Sequence, residues 1–292
     1  MARPGISKLG LPPKKYRPDR RTTRKDGLIK FETEEASYTE DEFRIGRLRR
    51  AAQLYPGLFK KKDVRQLRRR LRKGVEGHRP ARTPASSIYM RDWRVRVVGW
   101  LWKLYADPRN VPVTTAHILP TKWILTPDEF MQANPKKLMD RLRSDLNRLG
   151  AKKADGFFFA FLHGEYNLDD GYFHLHIHCL VSKGMIAVVK KLKEVERARL
   201  RKASKSVKRP PALIREKPLK NLPEPLSYCC QSYWPRKGYH DGVTGEWKRG
   251  KKHRIPEPYH TMFLLWINQW KLEDLALMMK LSVRAGKMMV GR

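Results

Sequence analysis

Phe173-His174-Leu175-His176-Ile177-His178-Cys179-Leu180-Val181 is an apolar run interrupted at alternate positions by histidine. Successive side chains of a β-strand point to opposite faces, so His174, His176 and His178 line one face while Leu175, Ile177 and Cys179 line the other. The second face suits a core. The first gathers three of the chain's 9 histidines, and neutral imidazoles two residues apart on a strand can grip one divalent ion. A single histidine here would read as a polar strand meeting water. Three in strict alternation on an otherwise apolar strand read as a metal-binding face.

Working upstream, Gly156 to Leu162 (GFFFAFL) is a strand, and the turn-rich link His163 to Gly171 leads directly into the histidine strand, so the two should pair as a hairpin. Glu165 shares parity with His163, and both can face the histidines across that hairpin. Glu165 is the expected third ligand, because a carboxylate suits Mg²⁺ or Mn²⁺; a His163 ligand would favour a softer ion. Further upstream, Val113 to Leu119 and Lys122 to Thr126 are short strands broken at Pro120. Asn134-Pro135 then opens a helix with Leu138, Leu142, Leu146 and Leu149 on its buried stripe. Downstream, a helix follows Gly184 and runs to about Ala203. This order of elements predicts an α+β domain, an antiparallel sheet with flanking helices.

The remainder of the chain is strongly basic. Residues 1–36 read as a flexible arm. Thr39-Glu40-Asp41-Glu42 resembles a capping box for a helix ending near Leu54. A second helix, about Lys62 to Lys73, sets Val64, Leu67 and Leu71 at helical spacing and fills the rest with Arg65, Arg68, Arg69, Arg70, Arg72 and Lys73. Like charges at that spacing repel, so this face is expected to contact phosphates. Residues 75–88 read as a linker, and Met90 to Tyr105 as an amphipathic helix. Residues 204–225 are a Lys- and Pro-rich loop, Ser227 to Tyr233 a short helix stopped at Pro235, and residues 236–256 a basic loop with a small hairpin at HDGVTGEWKRGKKH. Two helices are expected beyond it, about Tyr259 to Trp270 and Leu272 to Leu281. The expected regions are thus a 1–36 arm, a 37–108 basic helical region, a 109–240 catalytic domain and a 241–292 helical region.

Lys and Arg number 64 against 29 Asp and Glu, a formal net charge of +35 over 292 residues. An excess of that size calls for an anionic partner, and nucleic acid leads, since basic side chains that neutralise phosphates release counterions. The apolar runs are too short to span a bilayer and the N-terminus lacks the apolar stretch of a signal peptide, so no membrane partner is expected. Three cysteines without a CxxC pair fit a reducing, cytoplasmic setting.

In a protein of this charge, a metal on the histidine face would act as a Lewis acid on a phosphodiester. The nucleophile is water or a side chain, and Tyr228 is the candidate side chain. Here the sequence resembles a family. FHLHIHCLV is similar to the His-hydrophobic-His strand of HUH endonucleases, in particular rolling-circle replication initiators; KWILTP (Lys122 to Pro127) stands where that family has an earlier conserved strand, and SYCCQSYW where it has the tyrosine helix. The resemblance spans about Val113 to Tyr239. It implies a ferredoxin- or RRM-like HUH core, a divalent metal, and nicking of single-stranded or hairpin origin DNA with a 5′-phosphotyrosine link and a free 3′-hydroxyl. Carried over by position, His176 and His178 match the metal pair, with His174 the neighbouring histidine and His174/His176 the alternative pair, and Tyr228 matches the nucleophile of a Tyr-x-x-Lys motif. Gln231 departs from that motif; Lys237 is the candidate replacement cation and Tyr233 the alternative nucleophile. Relaxases and transposases share this chemistry, and a helicase is a further candidate partner. The rival reading is a non-catalytic basic nucleic-acid-binding protein.

Overall fold

The computed structural model describes residues 5–18, 33–202, 212–215, 217–237 and 253–291. The hairpin expected at HDGVTGEWKRGKKH, the end of the helix expected to reach Ala203 and much of the expected N-terminal arm lie outside them. In chain order the elements are helices α1 (Glu34–Leu54), α2 (Lys61–Val75) and α3 (Ser87–Ala106), strands β1 (Val113–Ile118) and β2 (Ile124–Leu125), helices α4 (Pro127–Gln132) and α5 (Pro135–Arg148), strands β3 (Phe158–Asn167) and β4 (Tyr172–Ser182), and helix α6 (Gly184–Lys202). There follow β5 (Ala212–Ile214), α7 (Glu224–Ser227), β6 (Pro235–Lys237), β7 (His253–Arg254), α8 (Tyr259–Asn268), α9 (Leu272–Leu275), β8 (Ala276–Met279), β9 (Leu281–Arg284) and β10 (Lys287–Val290).

Eight strands form one mostly antiparallel sheet in the order β5-β1-β4-β3-β6-β7, with β2 also pairing β4 and β8 also pairing β3. The fold is therefore α+β, with helices on both faces of the sheet. β3 and β4 form the expected hairpin in the register Phe161↔His178, His163↔His176, Glu165↔His174. The strand β3 is longer than the sequence indicates: it continues through Asn167, because His163 to Tyr166 hold the same two-residue alternation and the turn chemistry of Asp169, Asp170 and Gly171 comes only afterwards.

The two faces of the hairpin differ. On the apolar face the Phe173 ring stacks on Phe130 of α4 at 3.9 Å, and Trp266 of α8 lies 4.5 Å from Phe130. Gly164 sits beneath the Trp234 ring, which a Cβ there would approach to 2.4 Å. On the histidine face α3 packs through Trp93, 4.8 Å from Phe161. Both faces are thus covered, and most of β4 is buried.

Four expectations are corrected. First, α1 begins at Glu34, capped by Thr33, whose Oγ1 accepts from Ala36 N–H at 3.1 Å. Thr39 lies inside the helix, and Asp41 of the expected box instead caps α3, accepting from Ser87 N–H and Ser86 Oγ–H at 2.6 Å each. Second, the stretch from Gly5 to Pro18 is packed rather than free: Ile6 and Leu9 are buried, and Trp100 Nε1–H donates to the Gly10 carbonyl at 2.9 Å. Third, Leu272 to Leu281 is not one helix. After the single turn of α9, Ala276 to Met279 extend as β8 and pair with Phe158 to Phe161, where an apolar sheet edge outweighs the helical preference of Leu and Met. Fourth, Ser227 to Tyr233 is not one helix either: α7 passes into a tight turn over Tyr228–Cys230, and Gln231 leaves it in extended conformation. The segment then enters β6, parallel to β3.

Candidate metal centre and nucleophile pocket

β1 pairs with β4 so that His117 stands directly opposite His178. Directly opposed residues of an antiparallel pair share a face, which brings His117 onto the histidine face. Its ring stacks on His178 at 4.6 Å and meets His176 edge-on at 4.5 Å. His117, His176 and His178 each offer a ring nitrogen, and those ligand atoms lie within 4.8 Å of one another. His163 adds a fourth imidazole beside them, with its Nδ1 2.8 Å from His176 Nε2 and its Nε2 2.9 Å from the Tyr233 carbonyl.

Burial pushes the His176 imidazole well below its ordinary range, and the neighbouring imidazoles and Lys237 push it the same way. A neutral ring is the metal-binding form. Three imidazoles converging from two adjacent strands therefore suit a divalent transition ion in their chemistry as well as their placement.

The other expected ligands take different partners. His174 Nε2 is 2.7 Å from Asp170 Oδ2, so this ring is tied to the β3–β4 turn. Glu165, 1% exposed, forms an ion pair with Lys237 of β6. Its carboxylate thus faces the histidine side but is matched to a cation at the edge of the sheet. Lys237 pairs with Glu165 and is not among the residues that line the cavity described next.

Tyr228 shares one cavity of about 680 Å³ with two of the histidines: it is lined by His117 and His178 from the sheet, Leu213 and Arg215 from the β5 edge, and Tyr228 and Cys229 from the turn after α7, whereas His176 is not part of the lining. Lys220 and Glu224 also reach this lining. That turn is held from above by α3, where the buried Arg94 guanidinium donates to the Ser227 carbonyl at 3.4 Å. Tyr233 is placed elsewhere: its side chain sits among Arg254, Glu40, Arg44 and Arg236, and burial raises its phenol to about 12. Only its backbone carbonyl reaches the histidine cluster. Of the expected phosphate-binding set on α2, Arg65, Arg69, Arg72 and Lys73 are exposed and Arg68 half-buried, whereas Arg70 donates to Asn268 Oδ1 at 2.8 Å and helps dock α2 on α8.

His117 is the site residue that sequence reading missed. Its strand was legible, but within that strand it is a lone histidine, and only the β1–β4 register reveals its partners. No family model, curated protein or solved structure matches the chain. Among the described residues no helix is long and apolar enough to cross a membrane.

Proposed function

We propose that the protein is an HUH-type replication initiator that nicks single-stranded origin DNA through Tyr228. The observation that carries this reading is the shared cavity, in which Tyr228 and the metal-capable histidines His117 and His178 line the same walls. Tyrosine transesterification needs a nucleophile and a Lewis acid on one phosphate, and the shared lining supports Tyr228 and the histidines in those roles.

His117, His176 and His178 would hold the ion, which when bound supplies charge to polarise a nonbridging oxygen of the scissile phosphate. The Tyr228 hydroxyl attacks phosphorus, the bond from phosphorus to the 3′-oxygen breaks, and the departing oxygen takes up a proton to become the free 3′-hydroxyl. The product is a 5′-phosphotyrosine. Glu224, the carboxylate in the cavity lining, is the candidate acceptor for the phenol proton. Arg215 and Lys220 give the same wall two cations for flanking phosphates. Gln231, where the resembled family has lysine, supplies no charge, and Lys237 is spent first on Glu165.

The test is incubation with labelled single-stranded origin DNA and Mn²⁺, followed by a denaturing gel. Wild-type protein forms a covalent adduct. Tyr228→Phe forms none while keeping its DNA affinity, and His117→Ala loses cleavage with most affinity retained. An adduct surviving in Tyr228→Phe would reassign the nucleophile, with Tyr233 next in line. Tight binding with no adduct from the wild type would leave a non-catalytic nucleic-acid-binding protein.

A further inference from the structure

Three adjacent strands carry one row of side chains. His178 on β4 stands opposite His117 on β1, and His117 stands opposite Leu213 on β5. Directly opposed residues of antiparallel strands share a face, so the row runs from the two histidines on to Leu213. Two strand spacings separate the ends of that row, about 10 Å between the backbones of His178 and Leu213. Leu213 is 55% exposed, and all three residues line the Tyr228 cavity. A single exposed leucine on an open surface needs no explanation. This one stands inside a cavity of about 680 Å³, a volume that suits a small molecule better than a lone phosphate. The proposed transesterification uses the histidines, Tyr228, Glu224, Arg215 and Lys220. It leaves Leu213 and Asn221 without a task, and Asn221 is the one amide side chain among the lining residues.

We infer that the β5 side of the cavity holds one unpaired base of the DNA, an adenine beside the scissile phosphate, with its face on Leu213 and its edge read by Asn221. A base inside a duplex has both faces stacked and its pairing edge occupied; only an unpaired base offers face and edge together to a protein. The leucine covers apolar surface whatever the base, so it contributes affinity and little discrimination. An asparagine amide presents a donor and an acceptor side by side, the pattern that adenine complements with N7 and its N6 amino group. Arg215 and Lys220 stand in the same lining to meet the phosphates on either side of that nucleotide. The inference rests on the reading of DNA as the ligand and adds which nucleotide the cavity selects.

The experiment measures binding of the full chain, without metal, to three single-stranded probes of about 12 nucleotides: oligo-dA, oligo-dT and an abasic deoxyribose-phosphate strand of the same charge. In a homopolymer every register offers the cavity the same base, so the origin sequence need not be known. Wild type should prefer oligo-dA to oligo-dT by about fivefold or more, and both to the abasic strand. Asn221 has φ of +56°, so glycine removes its amide without straining the backbone. Asn221→Gly should bring oligo-dA down to the oligo-dT affinity and leave the other two probes unchanged. Leu213→Ala should weaken oligo-dA and oligo-dT by about threefold or more while the abasic strand binds as before. A wild-type chain that does not distinguish the probes overturns the inference, as does a preference for oligo-dA that survives Asn221→Gly. An equal loss on all three probes in Leu213→Ala also overturns it, since the leucine would then serve the fold alone. The covalent-adduct assay separates this from the function itself. Discriminating binding with no adduct leaves the base site standing and fails the nicking reading; an adduct without discrimination does the reverse.

Discussion

A histidine held neutral by burial is a liability in acid. The unfolded chain takes up a proton at His176 near its ordinary value of about 6.5, while the folded chain resists until well below it. The unfolded state therefore binds more protons as pH falls through that range, and stability falls with it. For the metal-free protein, this one group contributes up to about 1.4 kcal/mol of lost stability per pH unit below its unfolded value. Denaturant melts between about pH 7.5 and 5.5 should show that slope, and His176→Asn, which does not titrate there, should flatten it; an unchanged slope would mean that His176 is not held neutral. The sequence made His176 and His178 legible because their spacing is local. It misplaced His174 and Glu165, whose parity is right but whose partners, Asp170 and Lys237, are set by a turn and by a strand pairing from far along the chain. Parity reports the face of a side chain and says nothing of which neighbour reaches it first.

Among the elements, those with their own periodicity were read nearly to the residue, α5 and α6 among them. The misread ones lie where a local signal and a tertiary contact disagree. Ala276 to Met279 are good helix formers recruited by an open strand edge, and the chain from Gly5 to Pro18 is polar on average but carries Ile6 and Leu9, which find a groove along α3. Gly99 is the seat of that contact. A Cβ there would lie 2.4 Å from Pro12 Cγ and 2.5 Å from the Tyr16 carbonyl oxygen, and the backbone oxygen is not free to swing aside. Gly99→Ala should destabilise the protein by about 1–3 kcal/mol through overpacking, or release the N-terminal segment to proteolysis. A chain that tolerates the substitution with neither effect would show the segment is not docked there.

For the whole molecule, the charge of +35 is the feature most exposed to experiment. Affinity for single-stranded DNA should fall linearly on a logarithmic salt scale. Replacing Arg65, Arg69, Arg72 and Lys73 together by Gln should reduce that slope by ~3, at about 0.7 for each phosphate no longer neutralised. A slope unmoved by the four substitutions would remove this face of α2 from the DNA path. Arg70 is left out because it holds Asn268, and its loss would act through docking of α2 instead.

The strand β8 carries a consequence for how the protein is made. It supplies the β3 partner for Phe158 to Phe161, a run of apolar residues at the centre of the sheet, yet it is synthesised more than a hundred residues after them. Until Ala276 to Met279 emerge from the ribosome, that edge of β3 stands open, with unpaired amides beside apolar side chains and nothing to keep another nascent chain away. The histidine cluster lies one strand over. Translation is thus an interval in which that edge is open, and yield in a cell should answer to chaperone supply and elongation speed through the last stretch before β8.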